Sequence, residues 1–137
     1  MAEECFAAGL LHDLGKVILL GERSREYGDI QGRLEAGGDA DIEQLETELL
    51  GCSHAQLGAY LMSIWGLPPS LVHAVAFHHR PSQAIESGFS ALTAVHCADV
   101  LAHESQDRRV QPSTDAPYLD HLGLTAKMDE WRRSLKE

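Results

Sequence analysis

Basic residues, cysteines, aromatics and long apolar runs are all scarce in this chain. Lys and Arg number 11 against 21 Asp and Glu, a formal net charge of −10. A surface of that sign repels polyanions and excludes nucleic-acid binding through a broad basic face. It leaves room for one phosphate-containing small molecule, because a metal centre reverses the potential locally. The three cysteines, Cys5, Cys52 and Cys97, are odd in number and form no CxxC pair. Neither a disulfide framework nor a zinc ribbon fits them, and each reads as a small buried apolar residue. Every apolar run is broken by His, Asp, Lys or Gly within about a dozen residues, short of the ~20 that span a bilayer. Glu3 and Glu4 stand where a secretory signal would carry basic residues. The expectation is a cytoplasmic protein with no membrane attachment.

Two-residue alternation is also missing, so no strand is expected. Helical spacing and helix punctuation recur instead. A first helix should run from about Glu3 to Leu14, with Gly15 free to turn the chain. "VILLGERSREYGDIQGRLEAG" reads as a second, ended by Gly37-Gly38, and "DADIEQLETELLG" as a short acidic third with Ile42, Leu45 and Leu49 on one side. "CSHAQLGAYLMSIWGLPP" carries a capping-box pattern, Ser53 followed by Gln56. Its apolar stripe is Leu57, Leu61, Ile64 and Trp65, and Gly66, Pro68 and Pro69 stop it. "SLVHAVAFHHRP", ended by Pro81, and the longer "SGFSALTAVHCADVLAHE" follow. Residues 105–117 read as a polar, Pro-containing loop before a C-terminal amphipathic helix, "LTAKMDEWRRSLKE". With 137 residues, no repeats and no interior linker, the reading is a single all-α domain, a compact multi-helix bundle.

Eight histidines stand out, and several lie on apolar faces. Asp99 falls in register with Leu92 and Val95, where another aliphatic would be expected. His54 heads the stripe that includes Leu57, Gly58 and Leu61. His78 and His79 close the stripe of Leu71 and Val75. His12 lies within a turn of Ala8 and Leu11, inside "GLLHDLGK", with Asp13 beside it and Lys16 one turn on. Buried imidazoles and carboxylates are costly unless paired or bound to metal. Singly, each has an ordinary structural explanation, a backbone carbonyl or an ion pair. Together, His12, Asp13, His54, His78, His79 and Asp99 are more economically one site. A mixed His/carboxylate set suits Fe, Mn or Zn, and six donors exceed what one tetrahedral ion needs, so one or two ions are expected. A pair of ions bridged by a carboxylate suits phosphoryl displacement. His73, His96 and His103 fall off these faces and His121 sits near a loop, so all four are expected to have ordinary structural roles. Gly58 should allow close helix packing, Trp65 and Trp131 should be core or edge anchors, and Glu43, Glu46 and Glu48 should form a solvated face.

The pattern resembles a known family. "GLLHDLGK" is similar to the His-Asp signature of the HD superfamily of metal-dependent phosphohydrolases. "HAQLGAYLMSIWGLPPSLVHAVAFHHRP", "AVHCADVLAH" and "LDHLGLT" narrow the resemblance to the HDOD domain, a bacterial signalling relative of the HD-GYP phosphodiesterases. The resemblance implies that His12, Asp13, His54, His78, His79 and Asp99 are metal ligands and that Lys16 contacts phosphate. HD-GYP enzymes follow their paired His with Glu and then a GYP loop. Here "HHRPSQ" follows, with no GYP, which argues against cyclic-di-GMP hydrolysis. The superfamily takes its first ligand from an upstream helix. Eleven residues precede His12 and none is His, while Glu3, nine residues back, is roughly 13 Å away along a helix. The implied picture is an HDOD domain lacking its N-terminal helices, with a metal site left incomplete or completed by another chain.

Three functions follow. The first is a regulatory module in signal transduction, acting through protein partners or fused domains, with or without a bound metal. The alternative is a metal-dependent phosphohydrolase in which Asp13 bridges the ions and Lys16 neutralises phosphoryl charge. The third is an inert scaffold that forms a homo-oligomer to cover a bare surface.

Overall fold

The structure is a computed structural model, and it describes residues 1–37, 41–85, 87–106 and 113–135. Among the described residues all regular structure is helical. None of the helices is long and apolar enough to cross a membrane.

The expected first helix breaks earlier than its apolar pattern suggests. α1 spans Ala2–Leu11, His12 and Asp13 form a turn, and α2 starts at Leu14 and runs to Glu22. Asp13, at φ −100° and ψ 10°, leaves helical geometry, so both polar side chains sit at a chain break and not along an apolar helix. Gly15 is no turn residue. It lies in the first turn of α2 against the start of α5 (His54–Ile64), where an added Cβ would come within 2.7 Å of the His54 carbonyl carbon. Gly58 faces the same crossing; its Cβ would meet Val75 at 3.3 Å and the Gly15 nitrogen at 3.4 Å. The close packing expected at Gly58 is therefore a two-glycine contact between α2 and α5.

The expected second helix is also divided. Arg23 adopts φ −133° and ψ 45°, closing α2, and α3 restarts over Ser24–Glu35. Gly37 follows in the left-handed region, at φ 86°; Gly38 lies outside the described residues. α4, Ile42–Leu50, is capped by the Asp41 carboxylate accepting from the Gln44 N–H, and left-handed Gly51 ends it. Ser53 and Gln56 form the expected capping box, which places His54 as the first residue of α5. α6, Pro69–Phe77, ends at the His78-His79 pair, and Pro81 opens a 3-10 turn to Gln83. α7, Ala91–Ser105, is the longest element and starts from a second capping box, Ser90 with Thr93.

Residues 107–112 of the polar loop lie outside the described residues. Its end is helical: α8, Ala116–His121, is capped by Asp115 and carries Pro117 in its first turn. The Asp-Ala-Pro sequence was the available signal for that helix. α9, Thr125–Ser134, closes the described chain.

Three apolar clusters hold these helices. α1, α5, α6 and α7 share the first, built on Ala8, Met62, Ala74, Val75, Leu92 and Val95. α7, α8 and α9 share the second, around Val100, Tyr118, Leu119 and Met128, with Trp131 at its edge. Tyr27, Ile30 and Leu34 of α3 pack with Leu19 and with Ile42, Leu45 and Leu49 of α4 in the third. Cys97 is buried as expected, whereas Cys5 and Cys52 are only half-buried. The stripe expected on α5 needs correction. Ile64 and Trp65 are exposed, and the buried face is Ala55, Gly58, Ala59 and Met62, the first three small enough to let α2 and α6 approach.

Candidate metal centre

The polar residues singled out in the sequence converge where four segments meet: the α1–α2 break, the start of α5, the end of α6 and the middle of α7. Asp13, His54, His78 and His79 present ligand atoms within 4.8 Å of one another, and so do His12, His78 and Asp99. The two groups share His78, whose one outward nitrogen can serve only one ion at a time. Asp13 straddles them. Its Oδ1 lies 3.5 Å from His54 Nε2 and 3.8 Å from His78 Nε2. Its Oδ2 lies 3.6 Å from His12 Nε2 and accepts from Lys16 Nζ at 2.9 Å.

The imidazoles are held by their far nitrogens. His12 Nδ1 donates to the Gly9 carbonyl at 2.7 Å, and His78 Nδ1 donates to the Val75 carbonyl at 2.8 Å. A carbonyl only accepts, so Nδ1 carries the proton in both rings and Nε2 points to the centre. Ligating histidines are commonly oriented this way, by an acceptor behind the ring. His54 Nδ1 is paired with the carboxylate of Glu46 at 2.6 Å. His79 Nε2 lies 3.0 Å from His54 Nε2, so at most one proton sits between them. His96 is buried away from the centre, donating from Nδ1 to the His78 carbonyl and accepting the Asp115 N–H at Nε2. It is satisfied within the protein, as expected, and it fixes the peptide of a candidate ligand.

Electrostatics separates the rings. Burial pushes the His78 pKa down to about 3, helped by the neighbouring His54 and His12. Burial, with His78 and His54 close by, also holds His79 far below the ordinary histidine value. His12 moves the other way. Burial opposes its charge, but the hydrogen bond to Asp99 and the charge on Asp13 outweigh that cost. Its Nε2 lies 3.5 Å from Asp99 Oδ1, so a proton there occupies a cation's place between two carboxylates. Burial resists ionisation of Asp13 and Asp99 too, yet both are held below the usual carboxylate range. Lys16 and His12 do this for Asp13, and His12 and His103 for Asp99.

Two buried atoms in this cluster lack a hydrogen-bond partner, Asp13 Oδ1 and His78 Nε2. They face each other at 3.8 Å. An acceptor-only oxygen and a neutral imidazole lone pair cannot satisfy one another, but both can bind a cation. The donor set, imidazoles with carboxylates and no thiolate, fits a divalent transition metal.

Two residues near the centre were not anticipated. His103 Nδ1 lies 2.9 Å from the Asp99 carbonyl oxygen and 3.1 Å from Asp99 Oδ1, one turn along α7. The i, i+4 spacing was the available signal. Glu46, expected on a solvated face, is fully buried behind His54. Its burial follows from α4 packing Leu45 and Leu49 against α3, which turns position 46 inward.

An all-helical scaffold that gathers four histidines and two aspartates from four segments around unpartnered lone pairs defines a protein of the HD type. The chain belongs to the HDOD domain family, whose family model matches residues 1–81. An uncharacterized protein of Treponema pallidum (strain Nichols) is 29% identical over 86 residues, 61% of this chain and 16% of that protein. A crystal structure from Shewanella amazonensis SB2B, provisionally named a phosphohydrolase, aligns with a TM-score of 0.70 at 24% identity. That alignment covers 99% of this chain and 50% of the other, and it shows a shared fold. The chain thus spans about a sixth of the curated relative and half of the solved one.

Proposed function

We propose that this chain is a signal-transduction module that binds a divalent cation, Fe, Mn or Zn, at the His/Asp centre and passes its state to protein partners or fused domains. The observation that carries the metal part is the facing pair of unpartnered buried atoms, Asp13 Oδ1 and His78 Nε2. His54, His78, His79 and Asp13 would hold one ion; His12 and Asp99, with Asp13 Oδ2, would hold a second. The regulatory part rests on the family. It is supported by the apolar pairs that α1, α2 and α5 expose, Phe6 and Leu10, Val17 and Leu20, Tyr60 and Ile64. Such side chains suit contact with another protein or a second copy of this chain.

A metal-dependent phosphohydrolase is the second reading, favoured by Lys16. Its ammonium sits at the rim of the centre on Asp13, within reach of an anionic substrate. A bound divalent cation supplies Lewis acidity toward phosphoryl oxygens. Lys16 would neutralise charge on the transferred group, and the buried imidazoles would exclude water from it.

One experiment separates the readings. Untagged protein, purified without chelator or added metal, is analysed for bound elements and then assayed against an activated phosphodiester. One to two equivalents of metal without turnover support the regulatory module. Metal with turnover abolished by Asp13→Ala supports the enzyme. Absence of metal, with no uptake on titration, refutes the metal centre in both readings and with it the enzyme.

A further inference from the structure

Behind the centre lies a buried acid that coordinates nothing. Glu46 is on α4, a helix that contributes no candidate ligand, yet its side chain is 0% exposed. Its Oε2 accepts the backbone N–H of His54 at 2.8 Å and the ring Nδ1–H at 2.6 Å. Its Oε1 accepts the hydroxyl of Tyr27, from α3, at 3.2 Å. Burial and the adjacent Glu46 charge raise the Tyr27 pKa, so the phenol stays a donor. One carboxylate oxygen therefore grips both the backbone and the ring of a single residue, while the other is held by a second helix. A carboxylate enters a protein interior only where donors replace its water, and here two of the three donors belong to His54.

We propose that Glu46 is a positioning residue: with Tyr27 it locks His54 as the Nδ1–H tautomer and aims the bare Nε2 at Asp13 and His79. This rests on the metal-binding reading above. The grip on the backbone N–H fixes the first residue of α5, and the grip on Nδ1–H fixes the ring's rotation and protonation. His54 Nε2 is thereby left as an acceptor. In the metal-free protein it takes the proton of His79 Nε2 at 3.0 Å. His54 would thus offer a cation its lone pair directly, and His79 would offer its own once its proton moved from Nε2 to Nδ1. The negative charge on Glu46 also makes that lone pair a stronger donor to a cation. α3 and α4 in this way set the geometry of a centre to which they give no ligand.

The test compares the wild-type protein with Glu46→Gln, Tyr27→Phe and an exposed control, Glu48→Gln. Zinc affinity is measured by chelator competition, and histidine tautomers by nitrogen NMR on the metal-free protein. Wild-type His54 should show a protonated Nδ1 and a bare Nε2. Glu46→Gln, similar in size but uncharged, should weaken zinc binding roughly 10- to 100-fold. Tyr27→Phe should weaken it several-fold, and Glu48→Gln should leave it unchanged. If Glu46→Gln does not fold, the weakened binding of Tyr27→Phe and the wild-type tautomer decide the matter. Equal affinity in the wild-type and both inner variants, or a His54 protonated at Nε2 alone, overturns the positioning role and leaves the metal centre standing. A wild-type protein that takes up no zinc overturns the metal centre itself, and this role with it.

Discussion

Gly15→Ala should be the most damaging single-methyl addition in the described chain. The new Cβ would lie 2.7 Å from the His54 carbonyl carbon and 2.9 Å from its Cα, closer still to the carbonyl oxygen. All three are backbone atoms at the first residue of α5, so no side chain can swing away. To bring the carbon out to the 3.4 Å of ordinary contact, α2 and α5 must part by at least 0.7 Å. Overpacking of a well-filled site costs about 1–3 kcal/mol when side chains absorb it. With only backbone available the upper end applies, about 3 kcal/mol, or roughly 10 °C in Tm for a domain of this size. The damage extends beyond stability, because Asp13 is the N-cap of α2 and His54 begins α5. Parting the helices widens the 3.5 Å gap between Asp13 Oδ1 and His54 Nε2, so metal affinity should fall too. Gly28→Ala is the matched control. Gly28 is an exposed residue of α3 with nothing within 4 Å of its added Cβ, and it should gain about 0.5–1 kcal/mol from helix propensity. Urea unfolding of both variants gives the comparison. A Gly15→Ala midpoint equal to wild type, or changes of the same sign in the two variants, would refute the close-approach argument.

Three further expectations follow. Asp13→Ala should abolish metal binding, because it removes the carboxylate of the group with His54, His78 and His79 and also the Oδ2 that lies 3.6 Å from His12 Nε2, whereas Lys16→Ala should spare metal content and lower any turnover about 100-fold; elemental analysis beside a phosphodiesterase assay checks both, and full metal in the Asp13 variant would refute the assignment. Stability of the metal-free protein should fall on acidification from about pH 6.5 to 4: His78 is held near 3 and His79 lower still, against about 6.5 unfolded, so the unfolded chain binds more protons in that window. His12, raised instead, contributes its share fully below about 6.5 and loses it as pH rises, so it does not cancel the trend; a flat urea midpoint with chelator present would contradict the buried neutral pair. Cys97 is 3% exposed and its thiol is pushed up to about 11 by burial, so a thiol reagent should label at most Cys5 and Cys52 before unfolding; rapid native labelling of all three would contradict the packing of α7.

How much of this was legible in sequence depended on whether a residue's role is set locally. Ser53 with Gln56, and Gly66 with Pro68 and Pro69, are local signals, and α5 begins and ends where they place it. The candidate ligands could be picked because His54 and Asp99 break an apolar face on their own helices, while His12, Asp13, His78 and His79 interrupt or close apolar runs, a comparison with neighbours a few residues away. Glu46 could not be picked that way. It sits among Glu43, Thr47 and Glu48, and only packing distinguishes the fully buried Glu46 from the half-buried Glu43, held by Ser53 and Arg80, and the exposed Glu48. Gly15 was misread for a similar reason. A glycine near a helix end reads as a turn, and the opposing backbone that makes it necessary is some forty residues further along. Ile64 and Trp65 failed in the opposite direction, because their apolarity suggests burial while the small face of α5 faces the core. Long-range packing decided all three.

The cluster that could be picked also carries an energetic cost without a cation. Asp13 Oδ1 and His78 Nε2 are buried with no partner, and each such atom costs about 1–3 kcal/mol. Against the cost of burial, Asp99 and Asp13 raise the His12 pKa, so a proton on that ring would ease the repulsion between the two carboxylates but would not reach the unpartnered pair. The rings of His78 and His79 remain neutral and crowded, with centroids 4.1 Å apart. A ligand that binds only the folded state stabilises it by about 2.7 kcal/mol at 100 times its dissociation constant, enough to offset one or two of those atoms. Addition of Mn or Zn to chelator-treated protein should therefore raise Tm by roughly 10 °C. The same addition to His78→Ala, which removes a ligand common to both groups, should raise it much less. Equal shifts in the two proteins would mean that the metal stabilises from elsewhere. In that case the unpartnered atoms would have to be satisfied by something other than a cation.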